Sequence, residues 1–271
     1  MDTWISVALV FGGLLILLPL LLYAGMLVQP RVKQPELSNA SVSQKAVLPS
    51  DLPPAARRHF EQVFNGSEYP MIESAVIWGR WKIKAFGFWA PGRFTSWYQP
   101  GRHFFRQMEI AWFGRPLLKG TESLLNGAGL VKVGGSTSVG PNIDQSENIG
   151  LWAEAVWMPS ILLSDPRLRW ESLDPFTARL TVPGPFGPEA LLLSFDPESG
   201  LLTHLAAQRF ASAQEQQPSE WFIALSSWKR FGGLLLPGKV CATWVQQGSP
   251  STQWFIQGAA YNVDVSSRLG L

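Results

Sequence analysis

One carboxylate stands out as a group that could do chemistry. Glu154 lies in the run Leu151-Trp152-Ala153-Glu154-Ala155-Val156-Trp157-Met158-Pro159. At ~100° per residue it falls between Ile161 and Met158 inside an apolar arc, with Leu151 and Trp157 close by. A carboxylate in that setting has to be paired, hydrogen-bonded or protonated, because unpaired burial is costly. Such shifted carboxylates cluster at active sites, so Glu154 is a candidate acid, base or contact to the polar head of a ligand. The structural alternative ties it to a strand arginine, for instance Arg80, Arg106 or Arg209.

The other chemistry-bearing residues form no motif. The three histidines, His59, His103 and His204, lack metal-ligand spacing among themselves, and no metal site is expected. Gly134-Gly135-Ser136-Thr137-Ser138 lacks the last glycine of a nucleophile elbow and reads as a glycine-and-serine loop. Cys241 sits among strand residues and reads as an inert buried thiol. As the only cysteine, it also rules out an intramolecular disulfide framework. No Walker loop or dinucleotide glycine fingerprint occurs, and no cofactor is expected. A net charge of +2 gives no basis for binding nucleic acid. Asn39-Ala40-Ser41 and Asn65-Gly66-Ser67 match the glycosylation pattern, which matters only in a secretory host.

The 13 tryptophans pose a similar choice. Trp78, Trp81, Trp89, Trp97 and Trp112 fall on strand-like runs, and Trp152 and Trp157 on the apolar helix. They either fill a core or line a cavity for an apolar ligand. In the ligand-binding reading Glu154, Trp152, Trp157 and Met158 are the candidate contacts.

The helix that carries Glu154 is expected over 144–163, started by an Asp144-x-x-Glu147 capping box and ended or kinked by Pro159. It is apolar nearly all round, as a buried helix is. A shorter helix is expected over 51–64, with Asp51 as cap, prolines 53 and 54 in the first turn, and Ala56, Phe60 and Phe64 four apart. Elsewhere after Pro70 the chain breaks into about a dozen short aromatic and β-branched runs divided by Gly and Pro. Asp174-Pro175 and Asp196-Pro197-Glu198-Ser199-Gly200 read as hairpin connections. The expected fold class is α+β: a large curved antiparallel sheet, or partial barrel, packed on one or two helices.

The sheet domain, over 51–271, is preceded by a Pro- and Ser-containing linker at 29–50 and an apolar run at 4–28. No residue from Trp4 to Val28 is charged, and a bilayer needs ~20 apolar residues, so one transmembrane helix is expected. Trp4 and Tyr23 lie near its ends, where aromatic rings favour the headgroup level. A cleaved signal peptide fits less well, since its core is ~7–15 residues behind a basic start. Arg31, Lys33 and Lys45 follow the span and on the positive-inside rule would hold the domain in the cytoplasm, although long domains translocate largely regardless of such charges.

Segments spread over residues 51–265 resemble a bacterial family of uncharacterised proteins, domain of unknown function 6544. They are Leu52–Phe60 (LPPAARRHF), the Phe-Gly-Phe-Trp-Ala run at 86–90, Gly127 to Gly129 with Leu130, and Leu151–Pro159. Arg169-Trp170-Glu171, Asp174, Thr177-Ala178, Phe195–Gly200, Arg209, Trp228 and Leu236-Pro237 complete them. One departure is His59, where a tyrosine is expected after an arginine. The resemblance implies a membrane-associated protein whose domain is similar in style to lipoprotein-carrier folds, which hold acyl chains between sheet and helices. It also favours an extracytoplasmic domain, against the charges.

Together these readings lead to a single-pass membrane protein that meets the bilayer through its N-terminal helix and binds a lipid or acyl ligand between sheet and helix. Two alternatives stand beside it: a hydrolase using Glu154 with a distant histidine, and a structural or interaction module without a ligand.

Overall fold

A computed structural model describes residues 2–38, 44–66, 69–85 and 87–270, apart from several side chains in the first helix. Asn39, Ser67 and Phe86 fall outside, and with them both glycosylation patterns and part of the 86–90 run. Among the described residues thirteen strands form one antiparallel sheet. The first meander comprises β1 (Ala75–Ala85), β2 (Phe88–Gln99), β3 (His103–Trp112), β4 (Arg115–Leu125), β5 (Ala128–Val133) and β6 (Ser136–Val139). The second comprises β7 (Arg169–Asp174), β8 (Thr177–Gly184), β9 (Gly187–Phe195), β10 (Leu202–Arg209), β11 (Ser219–Phe231), β12 (Leu234–Trp244) and β13 (Thr252–Tyr261).

The order β6-β5-β4-β3-β2-β1-β13-β12-β11-β10-β9-β8-β7 explains the helices. The first meander runs outward from β1 to one edge, and the second begins at the opposite edge and returns to pair β13 with β1. The chain between β6 and β7 must therefore cross the sheet, and it does so over the inner face. That crossing is α3 (Pro141–Glu154), a 3-10 turn at Ala155–Trp157 and α4 (Ile161–Ser164). α3 touches β4, β5 and β6 on one side and β8 and β10 on the other. A helix enclosed in this way is buried around its whole girth, as its apolar run required. The regular portion stops short of Pro159, as expected.

Two helix starts differ from expectation. α2 (Pro54–Phe64) begins behind Pro53, and no side chain caps it, so Asp51 plays no such part. Prolines at the cap and the first helical position suffice, since an N–H missing there is unbonded in any helix. α3 begins at Pro141 behind Gly140, three residues before Asp144. The Asp144 carboxylate instead accepts a hydrogen bond from the Gly129 N–H at 2.7 Å, tying helix to β5. The stretch expected as a glycine-and-serine loop forms the Gly134-Gly135 turn and edge strand β6. Both expected hairpin connections are present: Asp174 pairs with Thr177, and the Asp196 N–H donates to the Leu201 carbonyl at 2.8 Å.

Strand burial alternates where the sheet faces the helices, as in β8. The main core collects Phe60, Phe94, Tyr98, Phe104, Trp152, Trp157 and the inward-facing leucines of β8 to β12, such as Leu180, Leu191, Leu205 and Leu236. A small outer core joins Val76, Trp97, Val263, Val265 and Leu269, with Leu37 from the expected linker packed on it. The C-terminal α5 (Ser266–Leu269) supplies Leu269.

The N-terminal α1 (Asp2–Leu27) has 26 residues and Pro19 inside it, about 39 Å at 1.5 Å per residue. Among the described residues no helix is identified as long and apolar enough to cross a membrane. The described part of α1 is nevertheless strongly apolar and exposed, with Trp4, Leu9 and Leu15 at 80%, 72% and 74%. Its C-terminal end docks on the β3–β4 hairpin: Phe113 N–H donates to the Gly25 carbonyl at 2.9 Å, and Trp112 Nε1–H to the Leu22 carbonyl at 3.3 Å. Phe113 and Gly114 form that two-residue turn with φ of +46° and +72°, the combination a twisted hairpin favours and a phenylalanine rarely adopts.

Candidate functional site

α3 carries Glu154 to the inner face of the sheet, where β2, β3 and β4 meet it with polar side chains. Tyr98 of β2 donates its hydroxyl to Glu154 Oε2 at 2.8 Å. Arg106 of β3 donates Nη2–H to the same oxygen and, at 3.0 Å, to the Tyr98 hydroxyl. Its Nε–H donates to Ser96 Oγ at 2.8 Å and its Nη1–H to Glu122 Oε2 of β4 at 2.9 Å. The guanidinium also lies over the rings of Trp254 and Phe104, 4.8 and 5.3 Å from their centroids. Of the three arginines proposed for Glu154, the fold selects Arg106, and its side chain is 5% exposed.

Strand alternation explains the convergence. Ser96 and Tyr98 are two apart on β2 and share a face, and Ser96 pairs directly with Arg106, which pairs with Glu122. Burial and the Glu154 carboxylate hold the Tyr98 hydroxyl well above the phenol range. Arg106 is held above its ordinary value by Glu154, Tyr98 and Glu122, against the opposing effect of burial.

A second carboxylate lies along the same helix. Glu147, expected in a capping box, is buried and accepts from Arg209 Nη2–H of β10 at 3.3 Å. Arg209 also donates to Ser146 Oγ at 2.9 Å and lies over the Trp221 ring at 4.4 Å. Burial and then the Glu122 carboxylate push Glu147 up to about 8, and Arg209 and Arg106 only partly offset them. Burial thus favours the protonated form of Glu147, while the neighbouring Arg209 favours the carboxylate. The seven-residue spacing of Glu147 from Glu154 puts both on one helix face, the signal by which sequence reasoning could have found it.

The expected ligand contacts fill the interior. Trp152, Trp157 and Met158 are 1%, 2% and 0% exposed. Trp157 Nε1–H donates to the Pro237 carbonyl at 3.3 Å, and its own carbonyl accepts from the Tyr261 hydroxyl at 2.7 Å. Trp152 also edges a crevice of about 230 Å³, where Arg167 lies 5.6 Å over its ring. Among the described residues no histidine joins Glu154: His59 Nδ1 accepts the Leu202 N–H at 3.1 Å, His103 Nδ1 accepts the Asn126 N–H at 3.2 Å, and His204 stacks on Phe222. Burial lowers His59 to about 3 and so keeps it neutral. Cys241 lies half-buried on β12, with burial pushing its thiol up. Among the described residues no group of three or more His, Cys, Asp or Glu is placed to hold a metal ion.

An apolar crevice lies instead where α1 meets the sheet. Pro19, Leu22, Tyr23 and Met26 form one wall and Ala85, Phe88 and Ala90 the other, around about 310 Å³. Tyr23 meets the Phe88 ring edge-on at 6.1 Å, and Phe88 is 59% exposed. Further exposed apolar side chains, Phe113, Leu117 and Leu118, lie on the adjoining β3–β4 hairpin. Sequence reasoning missed this site because its two walls are some 60 residues apart and neither carries a motif.

Among solved structures, the chain is similar to a DUF1329 family protein from Desulfovibrio piger, with 11% identity, TM-score 0.45, and coverage of 73% of this chain and 90% of that one. It is also similar to a LolA superfamily protein from Nitrosomonas europaea, with 8% identity, TM-score 0.45, and coverage of 79% and 94%. A third is an outer membrane lipoprotein-sorting protein domain from Vibrio parahaemolyticus, with 8% identity, TM-score 0.39, and coverage of 69% and 85%. No curated protein matches the chain. The model of a family of unknown function, DUF6544, matches residues 41–255, and the chain belongs to that family.

Proposed function

We propose that the protein is a single-pass membrane protein in which α1 crosses the bilayer and the sheet domain holds a lipid acyl chain in the crevice between α1 and the β1–β2 end. The crevice carries this reading. Its walls are almost wholly apolar, it opens beside an apolar helix, and exposed Phe88, Phe113, Leu117 and Leu118 surround it. Contiguous apolar surface of this kind marks contact with a membrane or an apolar ligand. An extracytoplasmic domain stays part of the proposal on the family resemblance, although Arg31 and Lys33 oppose it.

A lipid with a photoactivatable acyl chain tests the reading. Irradiating the full chain in membranes should label peptides containing Met26 or Phe88, and Phe88→Glu should remove the label. Labelling confined to residues 4–18 would leave an anchor without a binding site.

A second reading, a structural or interaction module, is favoured by the filled interior and the Glu154–Arg106 pair. It differs from the first in requiring no lipid at Phe88.

A further inference from the structure

The outer face of the sheet carries a groove of about 500 Å³ beside the segment that leaves α1. Arg80 and Lys82 of β1, Lys229 of β11 and Lys239 of β12 line it, and Gln29, two residues past the end of α1, closes one side. Strand alternation puts Arg80 and Lys82 together, opposite in direction to buried Trp81. Antiparallel pairing then brings Lys239 next to Phe255, itself the neighbour of Arg80. The ammonium groups of Lys82 and Lys239 both lie over the Phe255 ring, 5.9 and 5.8 Å from its centroid.

Charge is uncompensated here. No Asp or Glu among the described residues lines the groove. Among the described residues, none of the four cations forms an ion pair or a side-chain hydrogen bond. Arg80 Nε is buried without a hydrogen-bond partner, the one side-chain atom so identified among the described residues. The contrast lies one strand away: Arg93, directly opposite Arg80 on β2, is satisfied by Glu109 at 2.5 Å and by the Arg31 carbonyl at 3.0 Å. Like charges gathered along one groove repel, and an orphaned guanidinium N–H is costly, unless an anion sits among them.

We propose that this groove is a binding site for a phosphate group, held by Arg80, Lys82, Lys229 and Lys239. Guanidinium and ammonium groups converging on one concavity match the several acceptor oxygens of a phosphate. Two sources share that chemistry: the headgroup of an anionic lipid and a free phosphate. The site does not depend on the acyl-chain crevice, which lies at the end of the sheet and is formed by other residues.

The test uses the full chain in neutral detergent. Calorimetric titrations would compare dihexanoyl phosphatidic acid, dihexanoyl phosphatidylcholine and inorganic phosphate. Saturable binding of phosphatidic acid, weakened roughly tenfold or more by Arg80→Gln and by Lys82→Gln with Lys239→Gln, is expected. Lys119→Gln with Lys132→Gln, on exposed positions elsewhere, should leave it unchanged. Tighter binding of phosphatidic acid than of inorganic phosphate assigns a lipid headgroup, and equal binding assigns a soluble phosphate; either supports the site. An unchanged melting temperature shows that the variants fold. No binding of either anion, or binding that both groove variants leave intact, overturns the proposal. Because Phe88→Glu leaves the groove untouched, its effect on acyl-chain labelling is read separately.

Discussion

Glu147 and Glu154 stand two turns apart on one face of α3, and each meets a guanidinium from a different half of the sheet. Glu154 is held by Arg106 of the first meander and Glu147 by Arg209 of the second. The crossing helix is thereby fastened to both halves of the sheet, in addition to its apolar packing. Buried pairs of this kind add little net stability beside apolar isosteres but are costly to break singly.

The first pair should show that asymmetry. Arg106→Met leaves Glu154 and Glu122 without their partner and should cost about 3–5 kcal/mol in a urea melt. Glu154→Gln keeps an acceptor for Tyr98 and should cost less, about 1–3 kcal/mol. Both variants should keep any lipid binding at Phe88 once folded.

Glu147 gives stability a pH dependence of unusual sign. Its folded value of about 8 lies above the unfolded carboxyl value, so the folded state holds a proton that the unfolded state releases. Stability should therefore fall as pH rises from the unfolded carboxyl value toward about 8, and level off above. Glu147→Gln, which is always neutral, should flatten that slope and be the more stable protein at pH 8. Urea melts across this range check it.

His59 works in the opposite direction. Its folded value of about 3 lies below the unfolded one, so protons bind the unfolded chain first. The stability of the neutral imidazole is complete above about pH 6.5 and is lost as pH falls toward 3. His59→Gln should reduce this acid sensitivity. Comparing His59→Gln with Glu147→Gln separates the two effects where their windows overlap.

Gly25 tests the docking of α1. A Cβ there would collide with the Trp112 indole. Gly25→Ala should loosen the helix from the β3–β4 hairpin and speed hydrogen exchange of the Phe113 N–H by roughly tenfold, leaving the sheet core protected.

Much of this architecture was legible in the sequence, because alternation and turn residues are local. The strand runs on either side of Asp174-Pro175 and Asp196–Gly200 lie where expected, and an all-round apolar helix had to be buried. What was not legible is set by the fold. Glu147 looked like part of a capping box because it stands three positions after Asp144, yet the helix starts earlier and both side chains turn to the sheet. Arg106 was one of three equivalent arginines until strand order put it beside Tyr98. Trp152, Trp157 and Met158 were recognisable as inward-facing, but whether such residues line a space or fill it depends on volumes that no pattern records. The crevice at Phe88 depends on where α1 docks, which rests on two backbone carbonyls and a glycine.

The most direct test of lipid binding is native mass spectrometry of the full chain released from detergent, beside Phe88→Glu. The account expects a lipid-sized mass on the wild-type protein, removed by organic solvent and absent from a folded Phe88→Glu variant. A clean apo mass for wild type, with no uptake when lipid is titrated back, would contradict it.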